Sequence, residues 1–211
     1  MSALDAALAE APVIAVVRHD DPAVAESIAR AAVAGGVRII EVTFTVPGAD
    51  ELIARLVDQL PDVVVGAGTV LTPEQVDAAA DARAAFLVSP VTDAAVADRS
   101  AARGIPYLPG AFTPTEVATA ARMGAYAVKI FPAASLGIGF VAGIGDVLPG
   151  VRLVPTGGIA PAQVGDWLNA GASAVGIAGA LTTAWRRGGA EEVKDAAAAA
   201  IAAAMNTRSA E

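Results

Sequence analysis

Eight short apolar runs, most of them rich in β-branched residues, recur along the 211-residue chain, at 13–18, 39–44, 63–66, 86–89, 107–109, 127–131, 153–156 and 174–177. Their ends lie about 23 residues apart on average, room for one strand and one crossover helix and little more. The stretches between them carry helical patterns. Near-continuous apolar strands alternating with helices mean a parallel sheet covered on its faces. Eight such units predict an α/β chain, a single domain over residues 1–211 folded as a closed (β/α)8 TIM barrel. A doubly wound open sheet is the alternative, and no Gly-x-Gly-x-x-Gly fingerprint follows the first strand to support it.

Helix punctuation agrees with this reading. Asp21-Pro22 opens a helix that ends at Gly35-Gly36. Thr72-Pro73-Glu74-Gln75 and Thr113-Pro114-Thr115-Glu116 share one grammar, a threonine N-cap followed by proline at the first helical position. Gly124 closes the second of these as a C-cap. Pro161-Ala162-Gln163 begins another helix that stops at Gly171, and 191–205 forms the last, its alanine tract 196–200 reading as plain helix propensity. Residues 2–10 predict a short extra helix under the barrel. The segment 136–150 holds Gly137, Gly139, Gly143 and Gly145, so it reads as a loop followed by a weak helix around 140–148.

Composition narrows the function classes. Hydrophobic residues make up 55% and charged residues 17%, which fits a compact enzyme and opposes disorder. Gly, Pro or charge interrupts every apolar run before it reaches the length of a membrane span. Met1 to Ala11 has no basic n-region, so no signal peptide is expected. The absence of cysteine removes disulfides, thiolate catalysis and cysteine-based metal sites, and fits a cytoplasmic protein. A net charge of -8 disfavours nucleic acid as a partner.

Of 14 basic residues only Lys129 and Lys194 are lysines. Lys194 sits in a polar stretch of the last helix, whereas Lys129 interrupts the apolar run Ala127-Val128-Lys129-Ile130-Phe131. Burying an unpaired charge is costly, which favours the neutral amine that Schiff-base chemistry needs. Snorkelling at a strand end, or pairing with an acid, is the other reading. In a (β/α)8 barrel catalytic groups gather at the C-terminal ends of strands. The odd polar residues fall there: Arg18 ends the first strand, Glu41 lies in the second, and Thr69 follows Gly66-Ala67-Gly68. Pro90 closes the fourth strand, and Thr156-Gly157-Gly158 follows the seventh. Glu41 and Lys129 look like a facing pair, either a catalytic couple or a buried structural ion pair. Arg18 is a ligand for an anion or an ordinary surface cation. The glycine loops are turns, or cradles that let backbone N–H groups approach an anion. His19, the only histidine, has no neighbours in sequence that would build a metal site.

An ordered set of stretches resembles the class I bacterial aldolases that cleave 2-keto-3-deoxy-6-phosphogluconate (KDPG) and 4-hydroxy-2-oxoglutarate (KHG). It runs over about residues 12–181 and comprises Ala34-Gly35-Gly36-Val37, Glu41-Val42-Thr43-Phe44-Thr45, Val65-Gly66-Ala67-Gly68-Thr69-Val70, Val88-Ser89-Pro90, Lys129-Ile130-Phe131-Pro132 and Pro155-Thr156-Gly157-Gly158. The resemblance implies Lys129 as the Schiff-base lysine and Glu41 as general acid and base. It implies Thr69 with Arg18 for the carboxylate of a small-molecule 2-keto acid, Pro90 and Phe131 as walls, and Thr156 along the hydroxylated chain. Gly157, Gly158 and the Gly179 region would cradle a terminal phosphate. A homotrimer is implied, with no metal and no other cofactor.

Two departures stand out. Some members carry an arginine where this chain has Thr45, a charge that Arg18 would supply here. Many place a serine in the eighth-strand loop, which reads Ile177-Ala178-Gly179-Ala180-Leu181 here, so a phosphate requirement stays open. Against the aldolase stand another phosphate-binding barrel, such as an epimerase or isomerase, and a non-catalytic trimeric scaffold.

Overall fold

The structure is a computed structural model that describes residues 2–208. Nine strands form two parallel sets, β1 (Val13–Val17), β2 (Ile39–Thr43), β3 (Val64–Gly68), β4 (Leu87–Val88), β5 (Tyr107–Leu108), β6 (Gly110–Ala111), β7 (Val128–Ile130), β8 (Leu153–Pro155) and β9 (Val175–Ile177). The first set runs β5-β4-β3-β2-β1-β9 and the second β6-β7-β8. Pro109 splits one stave into β5 and β6, because a proline has no N–H to give a ladder. A bridge between Thr156 and Gly176 joins the end of β8 to β9. The sheet therefore closes on itself as an eight-stave barrel, and the open doubly wound alternative does not hold.

Helices cover the outside: α1 (Ala3–Glu10), α2 (Pro22–Ala34), α3 (Ala49–Gln59), α4 (Pro73–Asp81), α5 (Ala94–Arg103), α6 (Pro114–Arg122), α7 (Ala133–Leu136), α8 (Ile138–Val147), α9 (Val164–Asn169) and α10 (Gly179–Arg208). The expected caps form. Asp21 accepts from Ala23 N–H at 2.8 Å, Thr72 from Gln75 N–H at 3.3 Å, and Thr113 builds a reciprocal box with Glu116. Met123 occupies the C-cap of α6, and Gly124 follows it with φ +79°. Among the described residues no helix is long and apolar enough to cross a membrane.

Three elements can be set against the sequence expectation. In the segment 136–150 a short α7 that was not expected ends at Leu136, and the helix expected around 140–148 forms as α8, starting at Ile138. Its glycines weaken the helix, yet Val141 and Ile144, three apart on one face, are buried and hold it to the barrel. Residues 161–163 form a 3-10 turn and α9 proper starts at Val164. The expected last helix forms as the second half of α10, and a further helical segment that the sequence reading lacked, 179–187, precedes it; the two meet at Gly188 and Gly189, where the backbone leaves helical angles.

Strand alternation sorts the side chains into two layers. Ala15, Val17, Ile40, Val42, Val128 and Ile130 point outward into the main core beneath the helices. Ile14, Val16, Ile39, Phe86, Val88, Leu108, Ala127, Val154 and Ala174 point inward and fill the barrel together with Leu4 and Ala7 of α1. Phe86 lies so close over Gly66 that a Cβ there would meet its ring at 2.5 Å. That large-on-small fit plugs the lower barrel and leaves polar groups only above it.

α1 closes the bottom. Tyr126 donates its hydroxyl to Asp5 Oδ1 at 2.5 Å, Arg152 bonds the same oxygen at 3.2 Å, and the Arg152 guanidinium stacks 3.7 Å from the Tyr126 ring centre. The Tyr126 bond first, then those from Ser2 and Arg152, hold the Asp5 carboxyl well below the usual carboxylate range. Burial, followed by the Asp5 bond, pushes the Tyr126 phenol up to about 12. A depressed carboxylate contributes stability that is fully present above its unfolded value of about 3.9 and is lost as pH falls through the folded one. Asp5→Ala is thus expected to lower the urea midpoint near neutral pH, with the gap to wild type narrowing below about pH 4. A gap that stays constant into acid would assign the anchoring to packing alone.

Candidate active site

The inward set that fills the barrel continues upward into the polar residues. Glu41 follows Ile39 at the next inward position of β2, and Lys129 follows Ala127 on β7. The two staves stand four apart in the ring of eight, on opposite walls. Their side chains meet across the lumen, Lys129 Nζ donating to Glu41 Oε1 at 3.4 Å. Both are buried, 5% and 2% exposed, so neither charge has a water shell to fall back on. Lys129 Nζ also lies 5.4 Å from the centre of the Phe131 ring, two residues along its own strand. The pair that the sequence suggested is brought together.

Room for the carboxylate comes from β3. Gly68 is so close that a Cβ on it would fall 2.2 Å from Glu41 Oε1. The run Gly66-Ala67-Gly68 read as a possible anion cradle in the sequence, and the structure makes it first of all a clearance for two inward side chains, Phe86 and Glu41. The space requirement cannot be seen without the β2–β3 register, which aligns Thr43 with Gly68.

Arg18 stands just past β1 and Thr69 just past β3, the strands that flank β2. Arg18 Nη2 donates to Thr69 Oγ1 at 3.3 Å, bracketing the end of the Glu41 strand with a cation and a hydroxyl. Thr69 holds this position with φ +55°, a left-handed conformation that costs a non-glycine residue about 1 kcal/mol. Strain retained beside a polar cluster is a mark of a functional position. Thr43, fully buried, donates to Val17 O at 3.1 Å and lies 2.7 Å from Thr45 Oγ1. Thr45 entered the sequence analysis only as the place of an arginine in some relatives, and its pairing with Thr43 was not foreseen because threonine in a strand is ordinary. The pair ties the ends of β1 and β2 together under Arg18.

Pro90 lies at the top of β4, and Gly110 approaches so near its carbonyl that a Cβ there would lie 2.2 Å away. Thr156 is buried, its hydroxyl donating to Val154 O at 3.4 Å, with its side chain packed over Gly176. Gly157 and Gly158 follow with φ +96° and +77°, beside the Phe131 ring and Ala134. Gly179, expected in a loop, is the first residue of α10. It borders a recess of about 350 Å³ together with Gly158, Ala160, Ala180, Thr183 and Arg187. Thr183 and Arg187 escaped the sequence reading because the helical segment that carries them was not expected. His19 is occupied within its own loop, its Nδ1 accepting the Asp21 N–H at 3.0 Å. Among the described residues, His, Asp and Glu nowhere gather in a group that could hold a metal ion.

A buried lysine amine in contact with a buried carboxylate, beside an arginine hydrogen-bonded to a threonine, places four functional side chains at one end of a closed parallel barrel. The sequence model of the KDPG and KHG aldolase family matches residues 4–195. A 2-dehydro-3-deoxy-phosphogluconate aldolase of Treponema pallidum is 41% identical over 149 residues, 70% of this chain and 70% of its own. A KDPG aldolase from Legionella pneumophila, solved with pyruvate captured at low pH as a covalent carbinolamine intermediate, superposes with a TM-score of 0.82 at 29% identity, covering 95% of this chain and 98% of its own. A cube-shaped, highly porous cage designed by fusing symmetric oligomeric domains superposes with a TM-score of 0.87 at 31% identity, over 95% of this chain and 74% of the cage chain. The chain belongs to the KDPG and KHG aldolase family, and it is a lyase of the aldolase type.

Removing one partner of a buried pair strands the other. Lys129→Met and Glu41→Leu are each expected to cost about 3 kcal/mol of stability, while the double variant returns to within about 1 kcal/mol of wild type. Urea denaturation of the four proteins measures the coupling. Additive losses would mean that the two groups do not depend on each other.

Proposed function

We propose that the chain is a single-domain class I aldolase that reversibly cleaves a 2-keto-3-deoxy-6-phospho sugar acid, or the smaller 4-hydroxy-2-oxoglutarate, to pyruvate and an aldehyde. The observation that carries this reading is the 3.4 Å contact between buried Lys129 and buried Glu41. The unprotonated Lys129 amine adds to the C2 ketone, and loss of water from the carbinolamine gives a protonated imine. Glu41, acting through a water, takes the C4 hydroxyl proton. The C3–C4 electron pair flows into the iminium, the aldehyde leaves, and an enamine remains on Lys129. Glu41 returns a proton to C3, and hydrolysis releases pyruvate and the free amine. Every proton removed is put back, so the cycle calls for no oxidant and no cofactor.

The other roles follow from position. Arg18 and Thr69 take the keto-acid carboxylate, an anion flanked by a guanidinium and a hydroxyl. Phe131 and Pro90 wall the reacting carbons from bulk water, and Thr156 faces the hydroxylated chain. Gly157, Gly158 and Gly179 lie on the path of the far end of the substrate. The working form is a cytoplasmic homotrimer. Leu71, Val91 and Phe112 support assembly: they follow β3, β4 and β6 at one end of the barrel and are 46%, 49% and 42% exposed. Phe112→Glu is expected to shift the sedimentation profile toward monomer, and an unchanged profile would move the interface elsewhere.

Borohydride reduction in the presence of pyruvate tests the chemistry. The expected result is a reduced pyruvyl adduct that peptide mapping assigns to Lys129, absent in Lys129→Met and formed by Arg18→Ala only at about tenfold or higher pyruvate. A folded wild-type protein that traps nothing is not a Schiff-base aldolase.

A further inference from the structure

Thr43 is a buried hydroxyl that the reaction above does not use. Alternation along β2 carries the inward face from Ile39 to Glu41 and then to Thr43, so this hydroxyl stands above the carboxylate, at the level where β1 and β3 end. Thr43 is fully buried and pairs in register with Gly68, the residue before Thr69. Valine would fill the same volume without a polar group to satisfy. What the hydroxyl adds is direction. Thr43 has one proton, and Oγ1 donates it to Val17 O at 3.1 Å. The 2.7 Å contact between Thr43 Oγ1 and Thr45 Oγ1 is then a bond that Thr45 donates. Donation runs from Thr45 to Thr43 to the Val17 carbonyl, which shares a peptide unit with the nitrogen of Arg18. That unit is planar, so holding its carbonyl sets the direction in which Arg18 leaves β1.

Arg18 is the side chain at the mouth that most needs such setting. It is exposed, and among the described residues its side chain makes one bond, from Nη2 to Thr69 Oγ1 at 3.3 Å, and pairs with no carboxylate. An arginine tied by a single neutral bond keeps much of its rotamer freedom, which is lost when it clamps a carboxylate. A fixed backbone beneath it reduces that loss before the ligand arrives. Resting on the aldolase reading, we infer that Thr43, oriented by Thr45, is a positioning residue for the carboxylate of the 2-keto acid. It acts through Arg18 and takes no part in the proton transfers of Glu41. Its effect falls on pyruvate, the half common to every substrate of the reaction, and leaves the aldehyde half alone.

The test reads the pyruvate concentration that gives half-maximal borohydride trapping at Lys129. Thr43→Val is expected to raise it about 3- to 10-fold, the size of one neutral hydrogen bond, and Thr43→Ser to restore it. In the direction of synthesis with glyoxylate, kcat and the KM for the aldehyde stay within about twofold of wild type. The Arg18→Ala background separates positioning from general loosening of the barrel: there, Thr43→Val adds no further rise. Thr45→Val, at an exposed residue, carries the same test if Thr43→Val does not fold, with an expected rise of about two- to threefold that is likewise absent in Arg18→Ala. Three results overturn the assignment. One is an unmoved half-saturation in the folded variants, and another is an equal rise with and without Arg18. The third is a fall in kcat at unchanged half-saturation, which would give the hydroxyl to Glu41 instead. Each of these leaves the aldolase reading standing, whereas a wild type that traps no pyruvate removes it.

Discussion

The contact between Lys129 and Glu41 is the constraint around which the upper barrel is arranged. Two ionisable groups removed from water must satisfy each other, and here they do so from opposite walls of an eight-stave ring. Their meeting depends on closure, because an open sheet would hold β2 and β7 on one surface, well apart. It depends on Gly68, since any side chain there would occupy the space of the carboxylate. It depends also on parity. A slip of one residue in β7 would send Lys129 outward into the apolar layer under the helices and bring Val128 or Ile130 into the mouth.

That parity links stability to chemistry. On β1, β2, β7 and β8 the same inward set that supplies Ile14, Val16, Ile39, Ala127 and Val154 to the lower barrel runs on to Arg18, Glu41, Lys129 and Thr156 above. The lower members exclude water and fix the walls; the upper members are polar because the lumen opens there. The division is one of height along a strand. It explains why α1, with its Asp5–Tyr126–Arg152 cluster, stands at the bottom, where plugging the barrel obstructs nothing.

Much of this was legible in the sequence for a physical reason. A lysine or glutamate inside a β-branched run violates the local pattern, and violations of pattern mark sites. Arg18 and Thr69 were visible because strand ends are predictable from the apolar runs. What remained hidden has one cause, that register and tertiary packing are not written in local composition. The helix expected around 140–148 starts two residues earlier, at Ile138, and is held by buried Val141 and Ile144 in spite of its glycines. Gly68 looked like part of a loop motif, and only the β2–β3 alignment shows it as clearance for Glu41. The helical segment 179–187 follows directly on β9 with no capping residue to announce it, and only the helix beyond Gly188-Gly189 was drawn from the pattern.

The kink in α10 is set by two glycines whose backbone leaves helical angles. Ala180, just past β9, offers no side-chain donor. The glycines return the chain, Glu192 comes back against Arg187, and Ala196 joins the lining of the recess beside Gly158 and Gly179. The cation is thereby kept at the rim by a contact that solvent weakens. The two pairs differ in dielectric more than in distance: Lys129 and Glu41, 3.4 Å apart, are shielded from solvent, while Arg187 and Glu192, 3.1 Å apart, are screened by it.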